Sequence, residues 1–158
     1  MPTIIIRTKI KASKQIVFDL SRSIDLHKIS TKQTNEEAIA GRTSGLINLN
    51  ESVTWKAKHF GFTQILTTKI TAYNSPHNFT DEMTEGIFKR LTHEHQFLEK
   101  KGETLMTDYF SYQSPLGLLG VIADNLFLKR YMKSFLIKRN SIIKEFSESE
   151  KWKEVLIF

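Results

Sequence analysis

The chain has 158 residues, a formal net charge of +6 and ordinary shares of charged (25%) and hydrophobic (40%) residues, enough for one domain with a sizeable core. It has no cysteine, which excludes disulfides, thiolate chemistry and zinc sites built on sulfur, and fits a reducing, cytoplasmic setting. The longest apolar run, Leu116 to Leu128, is broken by Asp124 and Asn125 and is too short to span a bilayer, and Met1 to Ile10 lacks the form of a signal peptide.

Thr3 to Ile10 alternates and predicts a first strand. Ser13 is a good N-cap for a short helix whose apolar face is Ile16, Val17 and Leu20, and Ser23 to Ile29 predicts a second. Glu36 to Ala40 reads as a brief strand ended by Gly41. In the strand Glu51 to Phe60, residues Glu51, Val53, Trp55 and Ala57 share one face. Gly61 turns the chain, and Phe62 to Ala72 returns with Leu66, Thr68, Ile70 and Ala72 on one side. Asn74-Ser75-Pro76 is a turn signal, followed by a strand from Phe79 to Met83.

Lys89 to Tyr112 predicts a hairpin turning at Lys101-Gly102, where glycine supplies the positive φ that a tight turn needs. Leu91, His93, His95 and Phe97 fall on one face, and pairing Lys100 with Glu103 sets Phe97 opposite Met106, His95 opposite Asp108 and His93 opposite Phe110. Two imidazoles and a carboxylate then meet on an otherwise apolar face. A slip of one residue would undo this.

After Tyr112 the period changes. Ser114-Pro115 reads as a helix start, and a helix of about thirty residues, roughly 45 Å, is predicted to Phe146. Phe135, Ile142, Ile143 and Phe146 form its apolar stripe, with Arg139 inside it. Lys129, Arg130, Lys133, Lys138 and Lys144 read as its solvated face, and no nucleic-acid module accompanies them. The domain is expected to span residues 1–147, with a tail at 148–158 that ends in Val155-Leu156-Ile157-Phe158.

One strand, two short helices, a run of antiparallel strands and one long C-terminal helix make an α+β order that resembles the helix-grip fold of the START-related, polyketide-cyclase-like ligand-binding superfamily (SRPBCC). Glu37-Ala38-Ile39-Ala40-Gly41, Val53-Thr54-Trp55, Lys58-His59-Phe60-Gly61, the His93-Glu94-His95 strand, Thr104 to Asp108 and Ser114-Pro115-Leu116-Gly117 look like a bacterial branch of it, one often labelled cyclase-like or cell-division-inhibitor-like. The resemblance implies a curved antiparallel sheet around the long helix, and a cavity between them for a small hydrophobic molecule such as a lipid or polyketide.

On that expectation Val53, Trp55, Phe97, Met106 and Phe110 are candidate walls, and Glu51, His93, His95, Asp108 and Arg139 candidate polar contacts. Arg139 either snorkels to water or pairs with a pocket carboxylate. Binding without turnover is the leading expectation. The alternative is a cofactor-free cyclase or dehydratase that uses His95 and Asp108 as its acid–base pair and His93 to orient substrate. A third reading is an interaction protein of the cell envelope or division, acting through the basic helix and the tail. His93-x-His95 with Glu99 is also part of a metal-binding pattern, but no second ligand motif follows, so neither metal nor cofactor is expected. His27, His59 and His77 carry no readable signal.

Overall fold

Seven stretches of alternating residues pair into one antiparallel sheet: β1 (Thr3–Ile10), β2 (Glu37–Gly41), β3 (Ser52–His59), β4 (Phe62–Asn74), β5 (Asn78–Glu85), β6 (Arg90–Lys100) and β7 (Glu103–Gln113). Their order across the sheet is β1-β7-β6-β5-β4-β3-β2. Between β1 and β2 lie α1 (Lys14–Ser21), α2 (Ile24–Ser30) and a 3-10 turn at Lys32–Thr34; α3 (Lys129–Glu148) and the short α4 (Trp152–Val155) close the chain. The computed structural model describes every residue except 116, 118, 120, 121, 123–126, 157 and 158. This is the helix-grip α+β architecture: an open sheet, a long C-terminal helix, and two short helices carrying the chain from one sheet edge to the other.

Local chemistry accounts for most boundaries. The side chains of Ser13 and Ser23 accept from the backbone N–H groups of Ile16 and Leu26, capping α1 and α2. Lys101 and Gly102 sit at φ 53° and 77°, the left-handed pair of a two-residue hairpin. That turn sets the expected register, with His93 opposite Phe110, His95 opposite Asp108 and Phe97 opposite Met106. Gly41, at φ 73°, ends β2 where a Cβ would lie 2.2 Å from the Ser52 carbonyl oxygen.

Two expectations change. β4 shifts register between Ile70 and Ala72. The bulge turns Ala72 out to solvent and turns Tyr73 in against Phe18, with ring centroids 5.5 Å apart. On α3 the buried stripe is Leu136, Arg139, Asn140, Ile143, Phe146 and Ser147, while Phe135 and Ile142 are only partly buried. Much of the predicted helix before Lys129, Gly120 included, falls outside the described residues, as do Ile157 and Phe158. Of the tail, Leu156 is buried in the main core, and Trp152 and Val155 pack against it.

Phe18 of α1 anchors that core. Its ring makes edge contacts with Tyr73, Phe79 and Phe97 at 5.3–5.5 Å, tying the short helices to β4, β5 and β6. Phe18→Ala should cost roughly 3–5 kcal/mol, read as a fall in the urea midpoint with an unchanged slope.

Candidate functional site

The period of two along β6 aims His93 and His95 at the helix side of the sheet, where they are 6% and 2% exposed with rings 3.8 Å apart. Register places Asp108 of β7 beside them with no exposure at all. A carboxylate removed from water needs donors, and four groups converge on this one. His93 Nε2 lies 2.9 Å from Asp108 Oδ1 and donates to it. His95 Nδ1 lies 3.0 Å from the same oxygen, without the alignment of a hydrogen bond. From α3, Asn140 Nδ2 donates to Oδ2 at 2.6 Å, and Arg139 Nη1 stands 3.6 Å from Oδ1. Arg139 also donates to Asn140 Oδ1 and to the Ser21 carbonyl. The arginine therefore pairs inward rather than snorkelling.

The other nitrogen of His95, Nε2, donates to Asp81 Oδ1 of β5 at 3.1 Å. Neither Asp81 nor Asn140 stands out in the sequence. Asp81 needs the β5–β6 pairing, which sets it opposite His93. Asn140 carries a readable signal, since it follows Arg139 on the buried side of α3, but a stripe drawn from apolar positions passes over it.

Burial pushes the His93 imidazole down to about 4, and neighbouring His95 adds to this against the opposing pull of Asp108. Burial also pulls His95 down, yet its contacts with Asp108 and Asp81 outweigh that and raise it above its ordinary value. Burial raises the two carboxyls, but the histidines beside them hold Asp81 below its usual range and Asp108 well below it. With His95 protonated, two carboxylates face two cations and the cluster is neutral overall.

Above this cluster, between the sheet and α3, lies a cavity of about 300 Å³. Trp55, Ala57, Leu91, Phe110, Met132 and Leu136 give it an apolar wall, and His93, Asp81 and Arg139 reach it as polar groups. A smaller space of about 90 Å³ adjoins it and is lined in part by Val53, His93, His95, Asp81 and Arg139. Of the predicted contacts, Trp55, His93, Phe110 and Arg139 line the large cavity, and Val53 and His95 line the small one. Asp108 lies beneath both. Phe97 and Met106 sit behind the site in the main core with Phe18. Glu51 is elsewhere: it accepts two hydrogen bonds from Arg42, at 2.5 and 2.9 Å, and one from the Asn48 N–H, clasping the loop before β3.

The predicted His95–Asp108 pair is present as an ion pair, but the hydrogen bonds run from His93 to Asp108 and from His95 to Asp81. His93 is the imidazole that faces the large cavity. Asp81, His93 and His95 have ligand atoms within 4.8 Å of one another and are the donors a divalent ion would use. Against this, Asp81 and His95 already bind each other and the Arg139 guanidinium stands beside them. Glu99, the third member of the sequence pattern, is exposed and accepts from the Lys14 N–H.

No family model and no curated protein matches the chain. Solved structures do match. The protein TTHA0849 from Thermus thermophilus aligns with a TM-score of 0.74 at 16% identity, over 91% of this chain and 95% of its own. A START superfamily protein from Mycobacterium smegmatis gives 0.70 at 11% identity, over 90% and 97%. Ginseng major latex-like protein 151 from Panax ginseng gives 0.69 at 18% identity, over 94% and 98%. These likenesses carry the fold over nearly the whole chain, and no single branch of it. Among the described residues no helix is long and apolar enough to cross a membrane.

The two histidines should titrate on opposite sides of the ordinary imidazole value. In nitrogen-15 NMR of the imidazoles, His93 should stay neutral at pH 5.5 and protonate near pH 4, while His95 remains cationic above 6.5. Between pH 6.5 and about 4 the unfolded chain holds a proton that folded His93 lacks, so His93 makes stability fall as pH drops through that window. His95 contributes stability that is fully present below 6.5 and is lost as pH rises through its folded value.

Proposed function

From the START-like fold and the cavity it encloses, we infer that the protein binds a small, largely apolar molecule between the sheet and α3. The observation that carries this reading is the cavity of about 300 Å³, with apolar walls and a polar floor at His93, Asp81 and Arg139. Apolar walls supply affinity by area removed from water, and a few fixed polar groups set orientation. The floor is balanced in charge by its own members, so a charged group arriving there would disturb that balance. A neutral polar group, meeting the open side of His93, fits it best.

Ala57 lines the cavity from β3 with a single methyl group. Ala57→Trp should fill the space from within while leaving every hydrogen bond of the floor in place. Native mass spectrometry of the freshly purified protein, with extraction of any copurifying molecule, should show a bound species for wild type and none for this variant. Equal occupancy in the two would remove the cavity as the binding site.

A second reading is acid–base catalysis of the cyclase or dehydratase kind. It is favoured by one observation: a neutral imidazole, oriented by a buried carboxylate, facing the cavity. The residue that would touch substrate is then His93, with Asp108 as its positioning residue, and not His95. If an extracted compound is converted by the protein, His93→Gln should lower kcat by roughly 10²–10⁴-fold with little change in occupancy measured by mass spectrometry.

A further inference from the structure

A second chain of polar side chains lines the same cavity and shares no member with the floor. It draws on three elements and a connecting stretch: His27 of α2, Glu36 just ahead of β2, His59 at the end of β3, and Tyr131 of α3. Glu36 is the centre. Its side chain is 9% exposed, with Oε2 2.5 Å from His27 Nε2 and Oε1 3.9 Å from His59 Nε2. His59 Nδ1 lies 2.6 Å from Tyr131 Oη. Trp55 packs at a tilt on His27 at 4.3 Å, and Phe60 packs on the Tyr131 ring at 4.5 Å, so apolar surface flanks both ends.

The carboxylate sets the direction of the chain. A neutral imidazole carries one N–H, and the charge of Glu36, 3.9 Å away and not hydrogen-bonded to it, favours the tautomer with that proton on Nε2 of His59. Burial holds His59 below its ordinary value and so in the neutral form. In that tautomer Nδ1 is a lone pair, and the 2.6 Å contact is the Tyr131 hydroxyl donating to it. A tyrosine that has given its one proton away offers only acceptor lone pairs to anything else in the cavity. The negative charge of Glu36 behind it disfavours an approaching anion.

We propose that the Glu36–His59–Tyr131 chain is a recognition site for a hydrogen-bond donor, a neutral hydroxyl or N–H on the apolar guest, accepted by Tyr131 Oη. This rests on the cavity being the ligand site and narrows the guest to alcohols, phenols or amides rather than carboxylates or bare hydrocarbons. Tyr131 is the contact residue, and His59 and Glu36 are positioning residues.

The test uses two probes equal in carbon and oxygen count, 1-octanol and heptyl methyl ether, each competing with the neutral dye Nile red. Wild type should bind the alcohol about tenfold more tightly, the worth of one buried hydrogen bond. Tyr131→Phe should bring the ratio to within about twofold by weakening the alcohol alone. Glu36→Gln, which removes the charge that fixes the tautomer, should lower the ratio while thermal melting confirms folding. A ratio kept in Tyr131→Phe would place the donor's partner elsewhere and overturn the proposal while leaving the cavity reading intact. Failure of both probes to displace the dye from wild type would overturn both.

Discussion

The buried carboxylate of Asp108 is the constraint from which the rest of the site follows. It has no exposure, and its partners come from two elements: His93 and His95 from β6, and Asn140 and Arg139 from α3. An apolar stripe alone would let a helix slide along a sheet at small cost. Directional bonds to one carboxylate do not, because a slip leaves a charge unpaired, worth about 3–5 kcal/mol when a buried pair is broken. The polar cluster thus fixes where α3 sits. It also separates two regions of packing. Beyond it, Ile143 and Phe146 join the main core around Phe18. Before it, Leu136 and Met132 meet Leu91 and Phe110 around open space.

How much of this the sequence disclosed depended on whether local chemistry set the answer. The β6–β7 hairpin was legible because Lys101-Gly102 permits one tight turn, and that turn fixes the partners of His93 and His95. The serine caps made α1 and α2 legible for the same reason. Where non-local geometry decided, the pattern misled or was silent. Nothing near Ala72 marks the bulge that exchanges it for Tyr73. Asp81 lies in a polar strand with no periodic signal and gains meaning only once β5 lies beside β6. Glu51 alternated correctly with Val53 and Trp55, but Arg42 captures it at the strand's start. His27 and His59, which sit at element ends, looked inert because Glu36 brings them together only through the fold.

On the proposed reading, two polar chains in one cavity divide the work of holding a guest. The floor is balanced and deep, with Asp108 and Asn140 committed to each other and to the helix. The Glu36 chain is shallower and touches α2, β3 and α3 through single side chains. Between them run Trp55, Ala57, Leu66 and Phe110. A molecule lying along these walls has its apolar body covered and its orientation set by whichever end carries the matching polar group. On that reading the arrangement would select by where polarity falls along a guest more than by the guest's outline, since the walls are mostly aliphatic and aromatic surface.

The pairing of the first strand with the last has a bearing on how the molecule comes into being. Thr3 meets Ser111, 108 residues further on, so β1 has no neighbour in the sheet until β7 exists. Contacts this distant in sequence carry a heavy loop-closure cost and slow the approach to the native state. During synthesis the hairpins from β3 to β6 can assemble as they emerge, while β1 and the two short helices stay tethered but unseated. Completion of the sheet, and with it the seat for α3, is therefore an event that waits for translation of β7, and the hollow between sheet and helix forms only after it.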